Sequence, residues 1–346
     1  MPMMPSPRRR LPAWLLLAPL FATAVSFAAP TETTAPPEPP RDEIVQLEPL
    51  VVSGVQPGPG LWKVRRDGHE MVVLGTVRPL PKRMTWESDG VVEAISRSQL
   101  VLLSPSVKLD ADVGFFGGLF LLPAMLKATK NPDGGKLAEL VPAEDYARWL
   151  RLKKRFIGNE RSVEKRRPLF AANKLYAEAL DATGLTHDSP VSKAVSKAVK
   201  QFGIAVERPR IEIKVANPKE TLREFAQSGL DDAACFHGML DHVERDLPAL
   251  RARALAWAQG DVDALRNIPL HDASNACMDA VLETKLAEHL GIADVRERID
   301  AMWLEKAQAA LRDHETTFAL LPMTQVLGED GYLAKLQALG YEIEAP

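Results

Sequence analysis

Short apolar runs rich in β-branched residues cluster toward the two ends of this chain, with helical periodicity dominating the long stretch between, and this distribution constrains the fold most. Near the front, "LWKV" and "MVVLGT" flank "RRDGH", whose Asp67-Gly68 is a hairpin turn signal. A short helix capped by Ser88 or Asp89 follows, and then "QLVLLS" reads as a buried strand, an order that favours a parallel crossover. At the far end, Phe318 to Leu321 and Tyr341 to Glu344 read as strands around a helix from Glu329 to Leu339 ended by Gly340. Between them, "PAEDYARWLRLKKRF", "PLFAANKLYAEAL" and "SPVSKAVSKAVKQF" repeat apolar residues every three or four positions, with "GIAVE" and "IEIKV" as short strands. Leu240, Val243, Leu247, Leu250, Ala254 and Trp257 form a core-facing stripe along a helix that Pro248 should kink or restart. The expected fold is mixed α/β (α+β), a small central β-sheet made from N- and C-terminal segments with a large helical insertion at about 142–313.

The first residues stand apart. Arg8 to Arg10, an apolar core from Leu11 to about Phe27, and small residues Ser26 and Ala28 read as a secretory signal peptide over 1–29. Export to the periplasm or beyond is the expectation, with no integral membrane span after cleavage. Residues 30–60 carry Pro36, Pro37, Pro39, Pro40, Pro49, Pro57 and Pro59 and read as a mostly disordered linker. Within it "VQLEPLVV" suits an edge strand, because Pro49 withholds a ladder donor.

The formal net charge of -3 argues against a nucleic-acid partner. The basic run from Arg151 to Arg167 reads as a solvated helix face and loop. "VGFFGGLFLLPAML", Val113 to Leu126, is expected to be a buried helix or a lid over a pocket. Cys235 and Cys277 are the only two cysteines, and in an exported chain they suggest a disulfide closing about 40 residues, worth about 3 to 4 kcal/mol. A metal site from Cys235, His237, His242, His271 and Cys277 is the alternative, but no spacing among them preorganises ligands. His187, His289 and His314 read as surface or helix residues.

"LWKVRRDGHEMVVLGTVRPLP", "ALAWAQGDVDALRNI" and "GEDGYLAKLQALGYEIE", in that order over 61–346, resemble the TraB/GumN family, relatives of Tiki-type metalloproteases. The resemblance implies a G-x-x-H motif at the end of the first core strand, a second at a late strand, and an acid at a strand between. Histidines and a carboxylate so placed can hold a divalent metal that makes bound water a nucleophile. This chain departs at all three places. After Gly75 and Thr76, Arg78 stands at the first histidine position, Ser104 at the acid and Gln325 at the second histidine.

Arginine has no lone pair to give a metal. The resemblance therefore implies a non-catalytic member with no cofactor, whose former metal pocket around Gly75, Thr76, Arg78, Ser104 and Gln325 holds an anion or is vestigial. An active metal-dependent hydrolase with displaced ligands, drawn from His69, Glu87, Asp89 or Glu329, is the alternative. An envelope-associated structural role is a third, because some relatives are encoded with exopolysaccharide genes. The partner would be a small molecule, a polymer or an envelope protein.

Overall fold

Alternation of buried and exposed side chains builds the front hairpin: strand β1 (Trp62–Arg66) buries Trp62 and Val64 and turns Lys63 and Arg65 outward. In the computed structural model, which describes residues 47–111, 114–131, 134–227, 232–268, 282 and 285–346, β1 pairs antiparallel with β2 (His69–Thr76). Asp67 and Gly68 close the turn, both at positive φ, as the sequence signal requires. Helix α1 (Asp89–Ser96) leads to β3 (Leu100–Leu103), then β4 (Ser106–Asp110) and helix α2 (Gly114–Ala128).

The insertion follows as α3 (Ala143–Phe156), α4 (Pro168–Ala182), α5 (Pro190–Phe202), β5 (Ala205–Glu207), β6 (Arg210–Lys214), α6 (Pro218–Gln227), α7 (Asp232–Asp241) and α8 (Leu247–Gln259). Helix α9 (Val295–Asp313), strand β7 (Thr316–Pro322), helices α10 (Met323–Leu327) and α11 (Tyr332–Ala338) and strand β8 (Glu342–Glu344) complete the chain.

Six strands form one mixed sheet in the order β8, β1, β2, β7, β3, β5. Strands β2 and β3 run in the same direction, as the strand-helix-strand pattern implies, but β7 lies between them and pairs parallel with both. The late segment thus fills the centre of the sheet, and its Phe318, Ala319 and Leu321 are fully buried. The expected mixed α/β class holds. Strand β5 adds a piece of the insertion to one edge, and β4 and β6 pair parallel as a separate ribbon.

The apolar stripe across Pro248 is entirely buried, from Leu240 to Trp257. The expected kink is a π-helical turn, His242–Asp246, joining α7 to α8. Pro248 donates no N–H and its ring would strike the carbonyl of Glu244, so the backbone widens by one residue just before it. Ser189 caps α5 by accepting from the Ser192 N–H at 3.2 Å. Asp294 stands at the N-terminus of α9, but its side chain meets Arg298 at 3.3 Å and not the helix N–H groups.

Three further expectations change. Helix α2 is not buried, since Leu119, Phe120, Leu122, Met125 and Leu126 are exposed. The basic run is not simply solvated: Lys153 bonds Glu164 at 2.6 Å, and buried Arg167 bonds Asp232 at 2.6 Å. No strand forms over residues 47–52; Val55–Gln56 pairs instead with Thr85–Trp86. The last part of the expected linker lies against the domain, with Leu50 N–H donating to Thr183 O at 3.0 Å and Gly58 N–H to Ala258 O at 2.9 Å. Gly184, at φ +78°, comes so close to the Leu50 backbone that a Cβ would sit 2.7 Å from it. Among the described residues, no helix is long and apolar enough to cross a membrane.

Candidate functional site

The parallel strands β2, β7 and β3 end side by side, and the chain leaves each as a loop or short helix. Open α/β sheets place their ligand sites at such an edge. A cleft of about 730 Å³ opens there, with Thr76, Ser104, Leu320, Pro322 and Thr324 on its sheet side. The insertion supplies the opposite wall through α4, α5, the π-helical turn and α8.

Thr76 donates its hydroxyl to Leu321 O at 3.2 Å, and Ser104 donates to Leu320 O at 2.8 Å. Both hydroxyls therefore tie neighbouring strands to β7, with oxygen lone pairs left to accept. Arg78 is exposed two residues beyond the strand, its Nη2 3.4 Å from Ser192 Oγ. Gly75 lies beneath the cleft and not in its wall. Its carbonyl accepts from the indole of fully buried Trp257 at 2.8 Å, and a Cβ would meet Met323 at 2.7 Å.

Gln325 does not join the cleft, whose lining stops at Thr324. The short helix α10, which the sequence reading did not expect, turns Gln325 away, and its Oε1 is buried without a hydrogen-bond partner. Of the five candidate residues, Thr76, Arg78 and Ser104 come together, Gly75 supports them, and Gln325 is apart.

The insertion contributes residues not anticipated as a site. Arg208 and Arg253 line the cleft with Arg78, and so do His187 and His242. Arg253 is 8% exposed although it is charged. His242 is 3% exposed, and its Nδ1 lies 2.8 Å from Asp246 Oδ2 within the π-helical turn. Tyr176 of α4 stands beside it, with ring centroids 5.1 Å apart, and His187 lies 5.9 Å from the same tyrosine. Among the described residues, no carboxylate or thiol lines the cleft. Two sequence signals could have pointed here: Arg253 within the largely apolar α8 run, and His242 four residues before Asp246.

A divalent metal does not fit this donor set. The three positions that the motif resemblance singles out offer a guanidinium, a hydroxyl whose proton is already committed, and an amide outside the cleft. Three arginines around the space would also repel a cation. Among the described residues, no three His, Cys, Asp or Glu side chains converge as a metal site. His69 is held at the start of β2 by His314 O at 2.7 Å, seven residues and about 23 Å of strand from Thr76. Glu87 accepts from the Asp89 N–H at 3.2 Å, and neither lines the cleft, nor does Glu329. His237 bonds Asp145 at 2.8 Å in a separate cluster around Arg148. Cys235 is buried; His271 and Cys277 lie outside the described residues.

The model of the TraB/PrgY/gumN family matches residues 60–345, nearly the whole chain. The chain belongs to the TraB/PrgY/gumN family. No curated protein and no solved structure matches it. Within this family member, the sheet edge that the motif comparison singles out is the floor of the cleft, and its character is cationic.

Proposed function

We propose that this protein is an exported, non-catalytic TraB/PrgY/gumN member whose cleft binds a small anionic group, a carboxylate or a phosphate. One observation carries the reading: Arg78, Arg208 and Arg253 face a space that, among the described residues, no carboxylate lines. Arginine's planar fork of donors suits both anions, and the hydroxyls of Thr76, Ser104 and Ser192 complete a hydrogen-bonding rim. Export rests on the leader-like composition of residues 1–29, and the Cys235–Cys277 disulfide on the oxidising compartment that export implies.

Isothermal titration of chelator-washed protein with inorganic phosphate and with galacturonate tests the reading. Saturable binding to one site, weakened at least about tenfold by Arg208→Ala, is the expected result. Stoichiometric zinc, manganese or cobalt in the purified protein, lost on His242→Ala, would overturn it in favour of a hydrolase with a displaced ligand set.

A further inference from the structure

The cleft does not end at Arg78. A second depression of about 580 Å³ shares Arg78, His187 and Ser192 with it and runs along one face of α5. That face presents two neighbouring rows at four-residue intervals, Ser189, Lys193 and Lys197 beside Ser192, Ser196 and Lys200, while Val191, Val195 and Ala198 are buried on the other. A third depression continues past Lys193 to Lys82 and Arg83. Across all three, Asp188 is the one acidic lining residue among the described residues, in a chain whose formal net charge is -3.

Two of these cations are already paired: Lys193 with Asp188 at 2.5 Å, and Lys82 with Asp181. Among the described residues, Arg78, Lys197, Lys200 and Arg208 have no carboxylate partner. A run of cations continuous with an anion-binding cleft points to a ligand longer than the cleft.

Resting on the anion-binding reading, we propose that this surface is a track for a linear polyanion whose carboxylates repeat about one sugar apart, an acidic oligosaccharide. The helix sets the spacing: Lys193 to Lys197 is about 6 Å along the axis and Lys197 to Lys200 about 4.5 Å. Serine hydroxyls lie between the lysines on the same face. A hydroxyl both donates and accepts, so it can serve the hydroxyl groups of a sugar, whereas a bare phosphate chain only accepts. Among the described residues, nothing aromatic besides His187 lines the α5 groove, so they supply no stacking platform of the kind that single-stranded nucleic acid uses. One charged end sits among Arg78, Arg208 and Arg253, and the chain follows α5 outward.

The test compares galacturonate with its linear oligomers of about eight units at low salt. The oligomer should bind at least about tenfold tighter than the monomer, because added contacts act within one complex. The double substitution Lys197→Ala, Lys200→Ala should abolish that gain and leave monomer affinity unchanged; both lysines are exposed, and an unchanged melting temperature confirms the fold. Arg208→Ala should weaken monomer and oligomer alike. Equal affinity for monomer and oligomer, still sensitive to Arg208→Ala, would overturn the track and leave the cleft standing. No binding of either would remove both. Polyphosphate or single-stranded DNA binding tighter than the oligomer at equal charge would overturn the assignment to a carboxylate chain.

Discussion

Gly75→Ala separates packing from site chemistry at the end of β2. Gly75 carries no positive φ in this structure, so alanine meets no backbone strain, and the loss of unfolded-state freedom alone would stabilise by about 0.4 to 1 kcal/mol. Against that, the new Cβ would sit 2.7 Å from both Sδ and Cε of Met323 and 3.4 Å from Val326 Cγ2. Met323 is 1% exposed and has no solvent to swing into. Overpacking of a buried contact costs about 1 to 3 kcal/mol, so the net expectation is a loss of about 1 to 2 kcal/mol. Urea unfolding followed by tryptophan fluorescence measures it, with an expected midpoint shift of roughly 0.5 M or more. Met323→Ala costs stability by itself, but in that background the alanine should cost nothing, giving a coupling of at least about 1 kcal/mol. A neutral or stabilising Gly75→Ala, or additive changes in the double mutant, would refute the claim that glycine is there to admit Met323.

Tyr332 donates to Asp300 at 3.0 Å and stacks on Trp303 at 4.3 Å, and burial first, then the Asp300 charge, hold its phenol well above the usual tyrosine range. Above pH 10 the unfolded chain therefore binds fewer protons than the folded one. Stability from this group should be level below pH 10 and fall by at most about 1.4 kcal/mol per unit above it; Tyr332→Phe should show a shallower alkaline loss, and equal slopes would count against the assignment. Arg148 joins Asp145, Asp241 and Glu244, and Arg148→Ala leaves the buried Asp145 carboxylate without that cation. A loss of about 3 to 5 kcal/mol in urea unfolding is expected, and less than 1 would show that the cluster is solvent-compensated. Peptide mapping of exported protein without reductant should recover Cys235 joined to Cys277, and two alkylatable thiols would refute the pairing.

The hairpin, the central strand and the stripe from Leu240 to Trp257 were legible because burial imposes a period on sequence. Their neighbours did not declare themselves for equally physical reasons. The run around Phe120 is apolar, but composition does not say which side of a helix finds a partner, and α2 leaves much of its apolar surface exposed. Helix α10 has five residues, too few to set a periodicity, yet it decides that Thr324 lines the cleft and Gln325 does not. Arg208, His242 and Arg253 meet Arg78 only because the insertion folds back over the sheet edge, a contact between residues more than 100 positions apart.

That opposing wall changes what the family position means. At the sheet edge alone, replacing a histidine, an acid and a second histidine by Arg78, Ser104 and Gln325 would read as simple loss. The geometry makes it closer to an inversion. Thr76 and Ser104 use their protons to tie β2 and β3 to the carbonyls of β7, so the strand ends stay joined without a metal between them. The space above is then bordered by Arg78 from the sheet side and by Arg208 and Arg253 from the insertion. On the proposed reading, a place where the full motif would hold a cation takes an anion instead. The formal charge of -3 does not oppose this, because charges beyond about 8 Å are largely screened at physiological salt and the local arginines decide what enters.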